Sequence, residues 1–153
     1  MIPSGMHSFD VSWAAAAPQA EVWDVFVDTV RWPEWGPSVR EVVCSDRKIR
    51  AGSAGRVRTA LGFWIPFEIT GFDRPRYWSW SVGGVPATGH RVEAGPGGGS
   101  IIVFEVPLAA APYGLVCMIA AKRIARIAEG EARREKGFPS GPGNGDDSEV
   151  AVD

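Results

Sequence analysis

Along most of this chain polar and apolar residues alternate one for one, the period of a strand with one buried face. Over residues 7–14, Phe9, Val11 and Trp13 oppose Asp10, Ser12 and Ala14. The same reading predicts strands over residues 39–45, 55–61, 63–72, 77–82, 87–94 and 100–106, with Gly- and Pro-containing turns between most of them. Pro66 has no N–H for a ladder, so the strand over 63–72 is expected to be bulged or at an edge there. The period changes to three and four residues in two places. Val22, Trp23, Phe26, Val27 and Val30 make an apolar helical stripe, begun by Pro18, which suits a first helical turn. Pro33 ends that helix and starts a short, bent, Trp-rich second piece, Trp32-Pro33-Glu34-Trp35. After a bridge of small residues, 107–111, residues 113–136 predict one long helix with Val116, Ile119, Ala120, Ile124, Ile127 and Ala128 on its apolar face.

Short turns join antiparallel neighbours, so these strands form one antiparallel sheet of six to seven strands. One long helix is the main cover for its buried face. The inward set is then Val57, Thr59, Leu61, Phe67, Ile69, Trp78, Trp80, Val82, His90, Val92, Ile102, Phe104, Val106, Val116, Ile119 and Ala120. It is nearly all apolar and partly aromatic, which is the lining of a small-molecule pocket and equally of a plain core.

Composition trims the functional classes. The chain has 153 residues, 45% hydrophobic and 22% charged, with seven Trp and a net charge of −2. One domain is expected over residues 7–136, with a flexible start, 1–6, and a disordered Gly-, Pro- and Asp-rich tail, 137–153. The charge gives no footprint for nucleic acid. No uninterrupted apolar run reaches the length of a membrane span, and the first residues lack a basic start and an apolar signal core, so a cytoplasmic location is the default expectation. Cys44 and Cys117 read as buried free thiols. With His7 and His90 they have no metal-ligand spacing, and no cofactor is called for. The Gly95–Gly99 loop leads into a strand without a following Lys-Ser or Lys-Thr, so it reads as a hairpin turn rather than a phosphate cradle. No Gly-x-Ser-x-Gly elbow is present. The basic residues late in the long helix are balanced by Glu129, Glu131 and Glu135 and read as a solvated face.

One stretch carries a resemblance. A strand, then Ala17-Pro18, a helix bearing Val22-Trp23, Asp28 and Trp32-Pro33-Glu34-Trp35 resembles the opening of the START-related ligand-binding superfamily, which includes polyketide cyclase/dehydrase-like and birch-pollen-allergen-like proteins. The order of later elements matches as well, over roughly residues 8–135. The resemblance implies an α+β helix-grip fold: a curved antiparallel sheet wrapped around one long C-terminal helix, two short helices after the first strand, and a cavity between sheet and helix. It implies a small hydrophobic guest, such as a lipid, polyketide or aromatic metabolite, held by a carrier or sensor. The alternative it implies is a cyclase or dehydratase.

Within that frame the candidate ligand-binding residues are Thr59, Phe67, Trp78, Trp80, His90, Ile102, Phe104, Val116, Ile119 and Ala120. His90 is the candidate acid or base, or else a buried neutral histidine satisfied by a neighbour. Glu105 and Glu68 fall on the outward face, but a register slip of one residue would turn either inward, and Glu105 would then pair with His90 as a proton relay. Tyr113 and Trp35 are candidates for a rim at opposite ends of the long helix, with core packing the plainer role for Trp35.

Overall fold

The computed structural model describes residues 7–135, so the expectations for the first six residues and for the tail lie outside the described residues. Seven strands, β1 (Ser8–Ala15), β2 (Val39–Cys44), β3 (Ala54–Thr59), β4 (Trp64–Asp73), β5 (Tyr77–Val82), β6 (Val85–Ala94) and β7 (Ser100–Pro107), form one antiparallel sheet in the order β1-β7-β6-β5-β4-β3-β2. Helices α1 (Gln19–Val27) and α2 (Trp32–Trp35) follow β1, and α3 (Gly114–Glu135), the last described element, lies across the concave face. This is the α+β helix-grip arrangement expected from the sequence.

Register follows the alternation. Trp13, Val11 and Phe9 sit opposite Ile102, Phe104 and Val106, so both strands send these side chains to one face. Val82 and Val85 pair across a two-residue turn, Gly83-Gly84, in which both residues have positive φ, 61° and 81°. Only glycine takes that pair of conformations without strain, and it gives the twist a tight hairpin needs.

Pro66 is handled differently from expectation. β4 lies inside the sheet, between β5 and β3, and its irregularity falls between Ile69 and Gly71. Pairing with β5 begins one residue later, at Phe67, and the Pro66 carbonyl accepts from Gly83 N–H in the turn. The missing N–H is therefore on the side where the neighbouring strand has already ended. Leu61, expected inward, is 84% exposed, because β3 stops at Thr59 and Leu61 belongs to the turn.

α3 starts at Gly114, one residue later than expected, after a 3-10 turn over Leu108–Tyr113 that contains Pro112. Its buried side is Cys117, Ala120, Ala121, Ile124, Ala125, Ala128 and Ala132. The expected face is thus rotated: small alanines lie against the sheet, Val116 is half-buried, and Ile119 is 43% exposed. Alanine lets the helix approach closely, and the larger Ile119 would not fit there. The segment Leu108–Glu135 holds an 18-residue window with mean hydropathy 1.4, long and apolar enough by length and composition alone to cross a membrane, although Lys122 and Arg123 interrupt its apolar run. Its alanines raise that average. In the fold the helix packs against β1, α1 and β7.

Candidate functional site

The concave face is filled at one end by residues from α1 and α2. α1 is a nine-residue helix whose last carbonyls lack intrahelical partners. The lid tryptophans supply them: Trp32 Nε1–H donates to Phe26 O at 2.9 Å and Trp35 Nε1–H to Val25 O at 3.3 Å, while Ile49 N–H takes Val27 O at 3.0 Å. Asp28 then caps the next turn through Val30 N–H and receives a bidentate pair from Arg47, both at 3.0 Å. Burial alone would raise the Asp28 carboxyl, but the Arg47 and Val30 hydrogen bonds outweigh it and hold the group below the ordinary carboxylate range.

These contacts aim the aromatic rings at the sheet. Phe26 meets Trp35, Trp78, His90 and Phe104 edge-on, with centroids 5.8–6.2 Å apart. Trp32 lies parallel to Trp78 at 5.3 Å, and Trp78 stacks on His90 at 3.7 Å. Among the described residues, a small cavity of about 30 Å³ lies in this half, lined by residues that include Trp35, Trp78, His90, Phe104, Val116, Cys117 and Ala120. That is room for water and not for a metabolite. Burial pushes the Cys117 thiol up to about 12, so it stays protonated and acts as apolar wall.

The other end is open. A cavity of about 480 Å³ lies between the far ends of β3–β6 and the bridge from β7 to α3. Val57, Ile65, Trp80 and Val82 form its floor, and Pro107, Ala109 and Ala110 lie on the other side. Ser38, Val39, Trp80, Thr88 and Tyr113 line both cavities and form the partition between them. A hydroxyl–hydroxyl bond of 2.5 Å between Ser38 and Tyr113 ties the lid to the start of α3 at this point.

His90 belongs to the partition side of the filled half. Its Nδ1 lies 3.2 Å from the Trp78 carbonyl, which only accepts, so Nδ1 carries the proton. Nε2 then accepts from the Thr88 hydroxyl at 2.9 Å, and Thr88 Oγ1 accepts from Trp80 Nε1–H at 3.1 Å. Burial pushes the imidazole down to about 3, against a smaller upward pull from the Trp78 carbonyl. The ring is neutral at physiological pH, with both nitrogens engaged.

The sequence candidates separate accordingly. Thr59 and Trp80 line the large cavity; Trp78, Trp80, His90, Phe104, Val116 and Ala120 line the small one. Phe67 and Ile102 are core residues, 4% and 0% exposed, and with Ile119 they line neither. Glu105 stays on the outward face, because β7 pairs with β6 without a slip: Gly89 is opposite Glu105 and Phe104 opposite His90. There it binds Arg91 and accepts from Tyr77 Oη at 3.4 Å, so the Glu105–His90 relay is not formed. Glu68 is exposed on that outer face. Trp35 and Tyr113, expected at opposite ends of the long helix, line the same small cavity. Sequence reasoning missed Ser38, Val39 and the stretch Val85–Thr88 as wall residues. Ser38, Val85 and Pro86 sit outside the alternating runs, whereas Val39, Ala87 and Thr88 begin predicted strands, and the alternation that puts His90 and Val92 inward carries Thr88 with them. Among the described residues no group of three or more His, Cys, Asp or Glu side chains is placed to hold a metal ion.

A family profile described as polyketide cyclase / dehydrase and lipid transport matches residues 6–135. The chain belongs to this family. Solved structures agree on the fold. The protein XoxI of Bacillus cereus superposes with a TM-score of 0.64 at 14% identity, over 79% of this chain and 94% of that one. An uncharacterised Bacillus thuringiensis protein gives 0.62 at 14% identity, over 78% and 97%. A Bacillus halodurans protein gives 0.63 at 14% identity, over 81% and 98%. A comparison with curated proteins returns no match.

Proposed function

We propose that the protein binds a small hydrophobic molecule in the cavity between the sheet and the start of α3, as a carrier or sensor. The observation that carries this reading is the open half of the concave face: about 480 Å³, within the usual range of about 300–1,000 Å³ for small-molecule pockets, with walls mostly of aliphatic and aromatic side chains. The family description, which joins cyclase or dehydrase activity with lipid transport, fits a guest of this kind. A lipid, a polyketide or an aromatic metabolite meets the same requirement of shape and polarity.

Proton chemistry at His90 is the competing reading. It gains nothing from the geometry, since the ring is buried, neutral and bonded at both nitrogens. The test is binding of the neutral fluorescent probe N-phenyl-1-naphthylamine. The parent protein should enhance its emission saturably, and Ala110→Trp, which fills the cavity from the bridge, should abolish the enhancement while leaving the fold intact by circular dichroism. Equal enhancement in both proteins would place binding elsewhere and end the proposal.

A further inference from the structure

We infer that the cavity selects an uncharged ligand carrying a single hydroxyl or carbonyl group, received by Thr59, and rejects carboxylates and phosphate esters. The inference rests on the binding role proposed above and narrows it to a chemical class.

The first observation concerns charge. None of the described residues lining the large cavity is Lys, Arg, His, Asp or Glu. The cations nearest to Thr59 along β3 are turned away from it. Arg58 donates to Glu41 at 2.8 Å and to the Gly62 carbonyl at 3.1 Å, and Arg56 lies over the outer Trp64 ring at 5.0 Å. An anionic head group drawn inside would lose its water and find no counter-charge, which disfavours the charged form strongly.

The second observation concerns hydrogen bonding. Most polar side chains on the cavity wall are already committed: Ser38 and Tyr113 to each other, Thr88 to Trp80 and His90. Thr59 Oγ1 is the exception: the residue lines the cavity, its oxygen is shielded and without a partner, and a turn about the Cα–Cβ bond is what brings that oxygen to the cavity surface. Its position is fixed by pairing with Val39 across β2 and by the Ala60 N–H bond to Ser38 O at 3.0 Å. A buried hydroxyl left unpaired is costly, and such a group in a native fold marks the place of a missing partner. A ligand hydroxyl or carbonyl supplies it, because Thr can donate to one and accept from the other.

Calorimetric titration with two matched sets tests this: decan-1-ol against decanoate, and 2-naphthol against 2-naphthoate. Near neutral pH the neutral member of at least one pair should bind, and its anion should bind at least about tenfold more weakly. The acid's affinity should rise by about tenfold for each unit the pH falls towards its own pKa, since only the protonated form enters. Thr59→Val should weaken 2-naphthol or decan-1-ol by about three- to tenfold and leave naphthalene and decane unchanged. Anions that bind as tightly as their neutral partners, or a Thr59→Val protein with unchanged affinity for the alcohols, would overturn the inference and leave the binding role standing. Failure of every neutral probe to bind would remove both.

Discussion

The two halves of the concave face share one sheet and one helix, yet one is packed solid and the other is hollow. Strand residues of similar size face both: Val92, Ile102 and Phe104 in the first, Val57, Val82 and Trp80 in the second. The difference lies in what covers them. α1 and α2 bring Phe26, Trp32 and Trp35 down onto the sheet. The bridge before α3 brings Ala109 and Ala110. Alanine side chains cannot reach the floor that phenylalanine and tryptophan reach, so the space stays open. Cavity and core in this protein are thus set by the size of the covering residues, not by the sheet.

The sharpest way to break this comparison is truncation in the filled half. Phe26→Ala should cost about 3–5 kcal/mol in urea unfolding, because four neighbouring rings lose their common contact.

Acid comes next. His90 has a folded pKa of about 3 against an ordinary 6.5, so the unfolded chain binds the extra proton between those values. Stability should fall by about 1.4 kcal/mol per pH unit below 6.5. Glu21 opposes this: its hydrogen bond with Glu135, helped by burial, pushes it up to about 7, so its contribution improves as pH drops from 7 towards 4.5. Glu21 is largely solvated, and the screened effect is the smaller one. Thermal melts of His90→Gln should lose most of the slope between pH 6.5 and 5; an unchanged slope would remove His90 as its source.

A matched pair of smaller changes tests the two halves directly. Val92→Ala, at a position 1% exposed, should cost about 2–3 kcal/mol, whereas Val82→Ala on the cavity floor should cost less than about 1 kcal/mol, since its methyls already face space. Equal costs would mean that the hollow is closed in solution. Also well below the Val92 change, Tyr113→Phe should lose about 1 kcal/mol through the Ser38 bond and loosen the partition, seen as faster hydrogen exchange near Ser38.

Much of this was legible in the chain. Strict alternation places Trp78, Trp80, His90 and Phe104 on the inner face, because a strand offers only two sides and neighbouring strands hold each other in register. The same logic keeps Glu105 outside, where Arg91 holds it. Helical residues were read less well. Ile119 looked inward by spacing and is exposed, because a helix can roll by a fraction of a turn and the choice depends on how closely the sheet lets it approach. Sequence spacing does not contain that distance.

Local pattern therefore determined the strands, their order of turns, the lid helices and the pool of apolar residues available to the interior. Tertiary structure alone decided which of those residues became core and which became wall. That choice depends on side chains far apart in sequence meeting across the same space: Phe26 and Trp32 with Trp78, and Ala110 with nothing large enough to replace them. It also decided that Thr59, and not His90, is left with an unpaired polar atom.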